Sequence, residues 1–233
     1  MLDFINIPLS RRTLHSYAIR SAIFKALNDA LPLLHGRLLD VGCGKMPYRQ
    51  YILDHSNVTE YTGLDIEGAL IYDKAIWPDS TWDGSIMPFP DHAFDCAIAT
   101  EVLEHCPNPD ATLKEIRRVL KPNAVFFFTV PFLWTLHEVP RDEYRYTPFA
   151  LQRLLNNAGF IEIVIKPTGG WHAALAQMLG LWVKRAPMRR IPRAILSRLF
   201  IPIIRFLLKK DALLKPDFSK NSMFTGFSGI ARA

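Results

Sequence analysis

Three groups of residues in this chain have types and spacings that could do chemistry. The first is Asp40-Val-Gly42-Cys43-Gly44, followed 21 residues later by Asp65. Two glycines let a backbone turn sharply and approach a ligand without a Cβ clash. A carboxylate at the end of the next strand can accept hydrogen bonds from both hydroxyls of a ribose. The loop has Lys45-Met46-Pro47 where a dinucleotide loop has its third glycine. This argues against a pyrophosphate, which favours a glycine-rich helix N-terminus. An acid ahead of the loop suits a ligand with a positive amino or sulfonium group. Taken alone, the two glycines read equally well as an ordinary strand-to-helix turn beside a solvated Asp.

The second group is Glu101-Val-Leu-Glu104-His105. Helical spacing of i, i+3 and i+4 would place both carboxylates and the imidazole on one face. Such a face could take part in acid–base work or hold a divalent cation. The commoner reading is a helix start with His105 hydrogen-bonded at its joint, so Glu101 and His105 are kept as catalytic candidates and no metal is assigned. The third group spans 137–146 and holds one His, two Arg, two Tyr and three acids. His137 is the obvious base with a pKa near neutrality. Arg141 and Arg145 could clamp a carboxylate or phosphate, with Tyr144 beside them. The competing reading is a charged surface loop whose arginines pair with Asp142 and Glu143.

The surrounding pattern supplies the elements that must position these groups. Apolar residues from Leu14 to Leu34 recur mostly at 3, 4 or 7, which predicts a helix over 10–35, capped by Ser10 or Thr13 and stopped at Gly36. Strands are predicted at 37–41, 61–66, 94–100, 124–130, 160–165 and 226–231. Helices are predicted from about Pro47, over 110–120, and from Thr147 to Gly159. Strands alternating with helices imply a parallel sheet covered on both faces. Ligands then sit beyond the carboxyl ends of the strands, where the strand order reverses. Asp40–Gly44, Asp65, Asp83–Ile86, Thr100–His105 and Pro131 fall at such ends.

With these residues in view, the chain resembles the class I S-adenosylmethionine-dependent methyltransferases of the methyltransferase domain 11 type. The segments LLDVGCG, GLDI, DGSIMPFPDHAFDCAIATEVLEH and LKEIRRVLKPNAVFFFTVP carry the resemblance, over roughly residues 35–166. It implies a Rossmann-like, doubly wound seven-stranded α/β sheet with the last strand antiparallel, and S-adenosyl-L-methionine as cofactor. It also implies that Asp40, Gly42, Cys43 and Gly44 line the methionine part and that Asp65 binds the ribose, with Ile66 against the adenine. Asp83, Gly84 and Ser85 would meet the adenine edge, and Thr100 and Glu101 would close the pocket near the sulfonium. In some relatives that methylate quinone-precursor hydroxyls, a similar Glu-x-x-Glu-His holds a divalent metal.

Composition bounds the rest. The 233 residues are 49% hydrophobic and 21% charged, enough for one cored domain with an addition. Cys43, Cys96 and Cys106 have neither CxxC spacing nor an even count, so they are expected to give no disulfide framework and no zinc site. The N-terminus lacks a secretory h-region, which makes a cytoplasmic location the expectation. Lys and Arg total 28 against 22 Asp and Glu, yet 163–210 alone holds ten cations and no acid. The remainder is therefore net negative. This splits the chain into a methyltransferase domain over 1–170 plus 222–233 and a basic helical insertion over 171–221. Arg198, Arg205 and Lys209 share one face of the second insertion helix, which should kink at Pro202, and Ile195, Leu199, Ile203 and Phe206 share another. Contact of 171–215 with a membrane surface, on the inner face of the membrane, is weighed against a lid or a homodimer contact. Nucleic acid is disfavoured by the high Leu, Ile and Phe content.

The expected activity is methyl transfer, at oxygen, to a small-molecule, glycan or lipid-linked acceptor. Asn/Asp-Pro-Pro-aromatic and Pro-Cys motifs are missing after the 94–100 strand, which disfavours DNA N-methylation and cytosine C5-methylation. The alternatives are an RNA or protein methyltransferase working through the basic segment, and a non-catalytic module that only binds the cofactor.

Overall fold

A computed structural model describes residues 4–68 and 76–233. Seven strands form one sheet: β1 (His35–Val41), β2 (Asn57–Ile66), β3 (Ser80–Trp82), β4 (Phe94–Thr100), β5 (Leu120–Pro131), β6 (Ile161–Pro167) and β7 (Gly226–Arg232). Their order is β3-β2-β1-β4-β5-β7-β6. β7 runs antiparallel between β5 and β6, and the pairings among β1 to β5 are parallel. The order reverses between β1 and β4, so their carboxyl ends frame the crevice that such sheets use for ligands.

The central strands are apolar on both faces, as a sheet covered by helices on each side requires. β4 is buried from Cys96 to Ala99, and Val125 to Phe128 of β5 lie in the core beside it. On one face, Phe126, Phe128 and Phe160 join Leu113 and Ile116 of α3 (Pro109–Val119) and Leu151 and Leu155 of α4 (Pro148–Asn157). On the other, Leu38, Cys96, Ile98 and Phe127 meet Ile19, Ile23 and Leu27 of α1 (Tyr17–Ala30) and Ile52 of α2 (Arg49–His55). Both α3 and α4 begin with a cap and a proline. Asn108 Oδ1 accepts from Ala111 N–H, and Thr147 Oγ1 accepts from Ala150 N–H. Each cap satisfies one otherwise orphaned donor and contributes about 1 kcal/mol.

The first helix is shorter than its apolar spacing predicts. The Ser10 and Thr13 hydroxyls bond to each other and each accepts from the other's backbone N–H, which favours turns over helix up to Ser16. Gly36 stops no helix. α1 ends at Ala30 and Leu31–Leu33 form a 3-10 turn. Gly36 sits within β1 at φ +62°, at a register irregularity against β2. A Cβ there would come within 2.4 Å of Asp95 Oδ2.

Between β6 and β7 lie α5 (Trp171–Arg185) and α6 (Arg190–Asp211). Ala176, Val183, Ile204 and Leu207 cluster with Leu14 from the N-terminal turns. The α5 backbone comes so close that a Cβ on Gly180 would meet Leu14 O at 2.3 Å. Asp211, at the end of α6, accepts from Gly170 and Ala173 N–H and so fastens the hairpin at its base. α6 continues as one helix through Pro202.

Candidate active site

The loop after β1 is folded back on β2. Gly42 and Cys43 donate to Leu64 O at 2.8 and 3.1 Å. Gly42 and Gly44 have φ of +66° and +51°, a region that L-residues with a Cβ rarely occupy. A Cβ on Gly42 would lie 2.6 Å from Val102 Cγ2, so this turn needs glycine on two counts. Gly44 N–H donates to Asp65 Oδ2 at 2.9 Å, and Ile66 N–H donates to Oδ1 at 2.8 Å. Burial pushes the Asp65 carboxyl up, and the two amides pull it back. Asp40 is buried at the tip of β1, where Tyr61 O–H donates to its Oδ2. Burial raises Asp40 to about 7 against that hydrogen bond, with Asp65 adding to the rise.

The residues expected to meet the adenine converge on the same edge. Asp83 is exposed and accepts from Ser85 N–H at 2.8 Å, an amide that holds its carboxyl below the usual range. Gly84, at φ +89°, leaves its missing Cβ 3.4 Å from Ile66 Cδ1. Cys43 brings only its backbone, because its thiol is buried against Gly63 and Met46.

Glu101 follows Thr100 at the tip of β4 in the left-handed region, φ +57°. A non-glycine residue there carries strain of about 1–3 kcal/mol, and such residues cluster at functional sites. The conformation also overturns the expected single helical face: residues 103–105 form only a 3-10 turn and α3 starts at Pro109. Burial raises Glu101 to about 7, opposed by the neighbouring Thr129 hydroxyl and the Arg145 charge, and Glu101 N–H donates to Thr129 O at 3.0 Å.

The segment after β5 crosses the mouth of this crevice. Glu143 and Tyr144 N–H both donate to Glu104 O, at 2.9 and 3.1 Å. Arg141 O lies 2.9 Å from His105 Nδ1, and Arg141 Nη1 donates to Gly68 O at 3.2 Å. The strap thus reaches from the tip of β4 to the turn beyond β2. Arg145 grips Asp142 with two hydrogen bonds of 2.7 and 2.8 Å, and Asp142 in turn accepts from His137 N–H at 3.0 Å. His137 Nδ1 lies 3.2 Å from Asp142 Oδ2. Burial lowers the His137 pKa although Asp142 opposes it, so the ring is neutral at neutral pH. Tyr144 O–H donates to Pro107 O. Among the four residues expected on the acceptor side, Arg145 is therefore engaged with Asp142, as the surface-loop reading had it for one arginine, while His137 Nε2 is left as a lone pair.

Three participants carry no motif of their own, and a fourth, Glu104, was read only as part of one. Tyr61 and Asp142 act through Asp40 and His137, and Thr129 through Glu101. Glu104, noted for its spacing, is fully buried and neither carboxylate oxygen has a hydrogen-bond partner among the described residues. Tyr61 left a readable trace: it lies on β2 two residues before Gly63, the register partner of Asp40.

Residues 39–128 match the family described as a methyltransferase domain. A sterol 24-C-methyltransferase of Gibberella zeae is 36% identical over 101 residues, which cover 39% of this chain and 26% of that protein. A fatty-acid O-methyltransferase of Mycolicibacterium smegmatis is 28% identical over 167 residues, covering 69% of this chain and 60% of that protein. The chain thus spans between a quarter and three-fifths of the length of these relatives. The solved structure of an S-adenosylmethionine-dependent methyltransferase from Mesorhizobium loti superposes with a TM-score of 0.56 at 17% identity, over 91% of this chain and 98% of that one, a likeness of fold. Motif order, sheet order and family match agree over residues 39–128: this part of the chain is similar to the methyltransferase domain family, and the sheet has the fold of the solved methyltransferase.

Proposed function

We propose that this chain is an S-adenosyl-L-methionine-dependent methyltransferase acting at oxygen on a small-molecule, glycan or lipid-linked acceptor. The observation that carries the reading is the placement of Asp65 at the tip of β2, hydrogen-bonded to the Gly44 and Ile66 amides. The residues fit the cofactor. Asp65 oxygens keep lone pairs for two hydroxyls, the two left-handed glycines bare the backbone beside them, and the buried Asp40 carboxyl is a partner for a cationic end. When bound, the cofactor supplies an electrophilic methyl on a sulfonium.

The protein's part is to hold the acceptor in line and exclude water. The 137–146 strap closes over the crevice and brings a neutral imidazole, His137, oriented by Asp142. A neutral imidazole at that place can take a proton from an acceptor hydroxyl. The names of the relatives, sterol C- and fatty-acid O-methyltransferases, favour a lipid or small-molecule acceptor, and the oxygen assignment rests on the strap's base.

The partner surface is read from α5 and α6. Trp182, Ile191, Ile195, Leu199 and Phe206 are exposed among Arg185, Arg189, Arg190, Arg198, Arg205 and Lys209. Among the described residues no helix is long and apolar enough to cross a membrane. An apolar stripe flanked by cations suits the surface of an anionic bilayer.

Calorimetry with S-adenosylhomocysteine tests the core of the reading. Micromolar binding, followed by methyl transfer from labelled cofactor to a lipid extract, is expected. Binding without transfer to any lipid, glycan or small-molecule extract would leave a cofactor-binding module, and no binding at millimolar ligand would sink the enzyme reading.

A further inference from the structure

We infer that Glu104, His105 and His137 form a binding site for a divalent transition-metal ion of the zinc class at the mouth of the crevice. Each offers one ligand atom, and these atoms lie within 4.8 Å of one another. Three features make this more than a chance cluster. Glu104 is fully buried and both its carboxylate oxygens lack a hydrogen-bond partner among the described residues. A buried carboxylate left so is strongly disfavoured unless a proton or a cation satisfies it. Its Oε1 lies 3.8 Å from His105 Nε2.

The two imidazoles are also oriented as ligands. His105 Nδ1 lies 2.9 Å from Arg141 O, an acceptor only, so Nδ1 carries the proton and the Nε2 lone pair is exposed toward Glu104. His137 Nδ1 lies 3.2 Å from Asp142 Oδ2, which makes it the donor to a carboxylate and likewise leaves Nε2 as the lone pair. A carbonyl or carboxylate behind each ring is the outer-shell arrangement that metal-binding histidines use. The ring centroids are 4.7 Å apart. With bonds of about 2.0–2.1 Å to nitrogen and oxygen, a tetrahedral ion draws its ligand atoms to about 3.4 Å apart. Side-chain adjustments of an ångström or so close the set.

The ligand set is not the Glu-x-x-Glu-His face of the sequence. The left-handed turn at Glu101 takes that residue out of helical register, and its carboxyl meets Thr129 and Arg145. Its place is taken by His137, which arrives 36 residues after Glu101, on the strap. Two imidazoles and one carboxylate favour zinc, cobalt or iron over magnesium or calcium, which require mostly oxygen. Three protein ligands leave a fourth position open, and an ion there lowers the pKa of a hydroxyl that coordinates it. This use of the ion rests on the methyl-transfer reading above; its binding does not. With the ion bound, His137 serves as ligand and the metal-bound hydroxyl loses its proton to solvent, so His137 acts as the base in the metal-free protein and the ion takes over that task in the loaded one.

The test is titration of the EDTA-stripped full chain with Zn²⁺ by calorimetry and with Co²⁺ by absorption. One site of micromolar affinity or tighter is expected, with cobalt bands lacking thiolate-to-metal charge transfer. His137→Asn and His105→Ala should each weaken Zn²⁺ at least tenfold, and His92→Ala should not. Glu104→Gln should do the same, and thermal melting reports whether that variant still folds. Equal affinity in wild type and His137→Asn, a thiolate band, or tighter binding of Mg²⁺ than Zn²⁺ would each overturn the site. S-adenosylhomocysteine binding to the same stripped sample reads the methyltransferase proposal separately.

Discussion

Gly44 and Asp65 are 21 residues apart and joined by one hydrogen bond of 2.9 Å from backbone amide to carboxylate. That bond ties the tip of β1 to the tip of β2 across the crevice. It fixes the carboxylate before any ligand arrives, so little ordering remains to be done on binding. Replacing Asp65 by Ala removes two charge-assisted acceptors from the ligand and loosens the glycine loop. Each such bond contributes about 1.5–3 kcal/mol. S-adenosylhomocysteine binding, measured by calorimetry, should weaken at least tenfold in Asp65→Ala and less in Asp65→Asn. An unchanged dissociation constant in Asp65→Ala would mean that the nucleoside sits elsewhere.

Asp40 leads to a proton count. Its carboxyl is raised to about 7 by burial, so it is largely protonated at pH 6. A raised acid in the folded chain favours folding at low pH, and that contribution is lost as pH rises from about 4 to about 7. A cationic ligand end beside Asp40 reverses the preference and expels the proton. Binding of S-adenosylmethionine at pH 6.5 should therefore release protons, seen as an enthalpy that differs between phosphate and Tris buffers, and affinity should increase from pH 5.5 to 7.5. Glu101, raised to about 7 in the same crevice, adds to the count. Asp40→Asn should remove part of the release; a release identical in that variant would discharge Asp40 from the role.

Much of this arrangement was readable in the residues, and the part that was not has a physical reason. Phe94–Thr100 was bounded correctly because an apolar run buried on both faces has sharp ends. The antiparallel position of β7 came from the family resemblance, since periodicity says nothing of strand direction. β3 went unread, being three residues long with only Trp82 buried. The glycines and Asp65 stood out because backbone conformation demands their types. Glu101 did not, since nothing local marks a glutamate for φ +57°. The strap's pairings stayed open for a different reason. Asp142 has a His and two Arg within five residues, and only the tertiary position of Glu104 and His105 decides which of them it serves.

The strap depends on the Arg145–Asp142 pair. Asp142 is almost wholly buried and is held by two guanidinium hydrogen bonds, while it positions both the backbone and the ring of His137. Arg145→Ala leaves a buried carboxylate short of its main partner, at a cost of about 2 kcal/mol. Arg145→Lys retains the charge but not the paired geometry and should recover only part of the loss. Urea denaturation measures the stability, and amide exchange at 137–146 measures the loosening. Unchanged protection of the strap in Arg145→Ala would show that its backbone contacts to Glu104 suffice.

The two faces of α6 separate a membrane surface from a lid. Ser197, Ile204 and Leu207 are the buried stripe, packed toward α5 and Leu14. Ile195, Leu199, Ile203 and Phe206, the stripe that amphipathic spacing singled out, are exposed instead. A helix apolar on both sides needs a second cover, and the cations beside this one give that cover a sign. Each Lys or Arg near an anionic leaflet contributes about 1 kcal/mol. Arg198→Glu with Arg205→Glu should therefore cut co-sedimentation with phosphatidylglycerol vesicles more than tenfold, with little effect on S-adenosylhomocysteine affinity. Leu199→Ser with Phe206→Ser should lower binding even at high salt, because the apolar contribution is not screened. If the charge-reversed protein sediments as well as wild type, or if wild type ignores vesicles and binds RNA with a steep salt dependence, the exposed stripe has another partner.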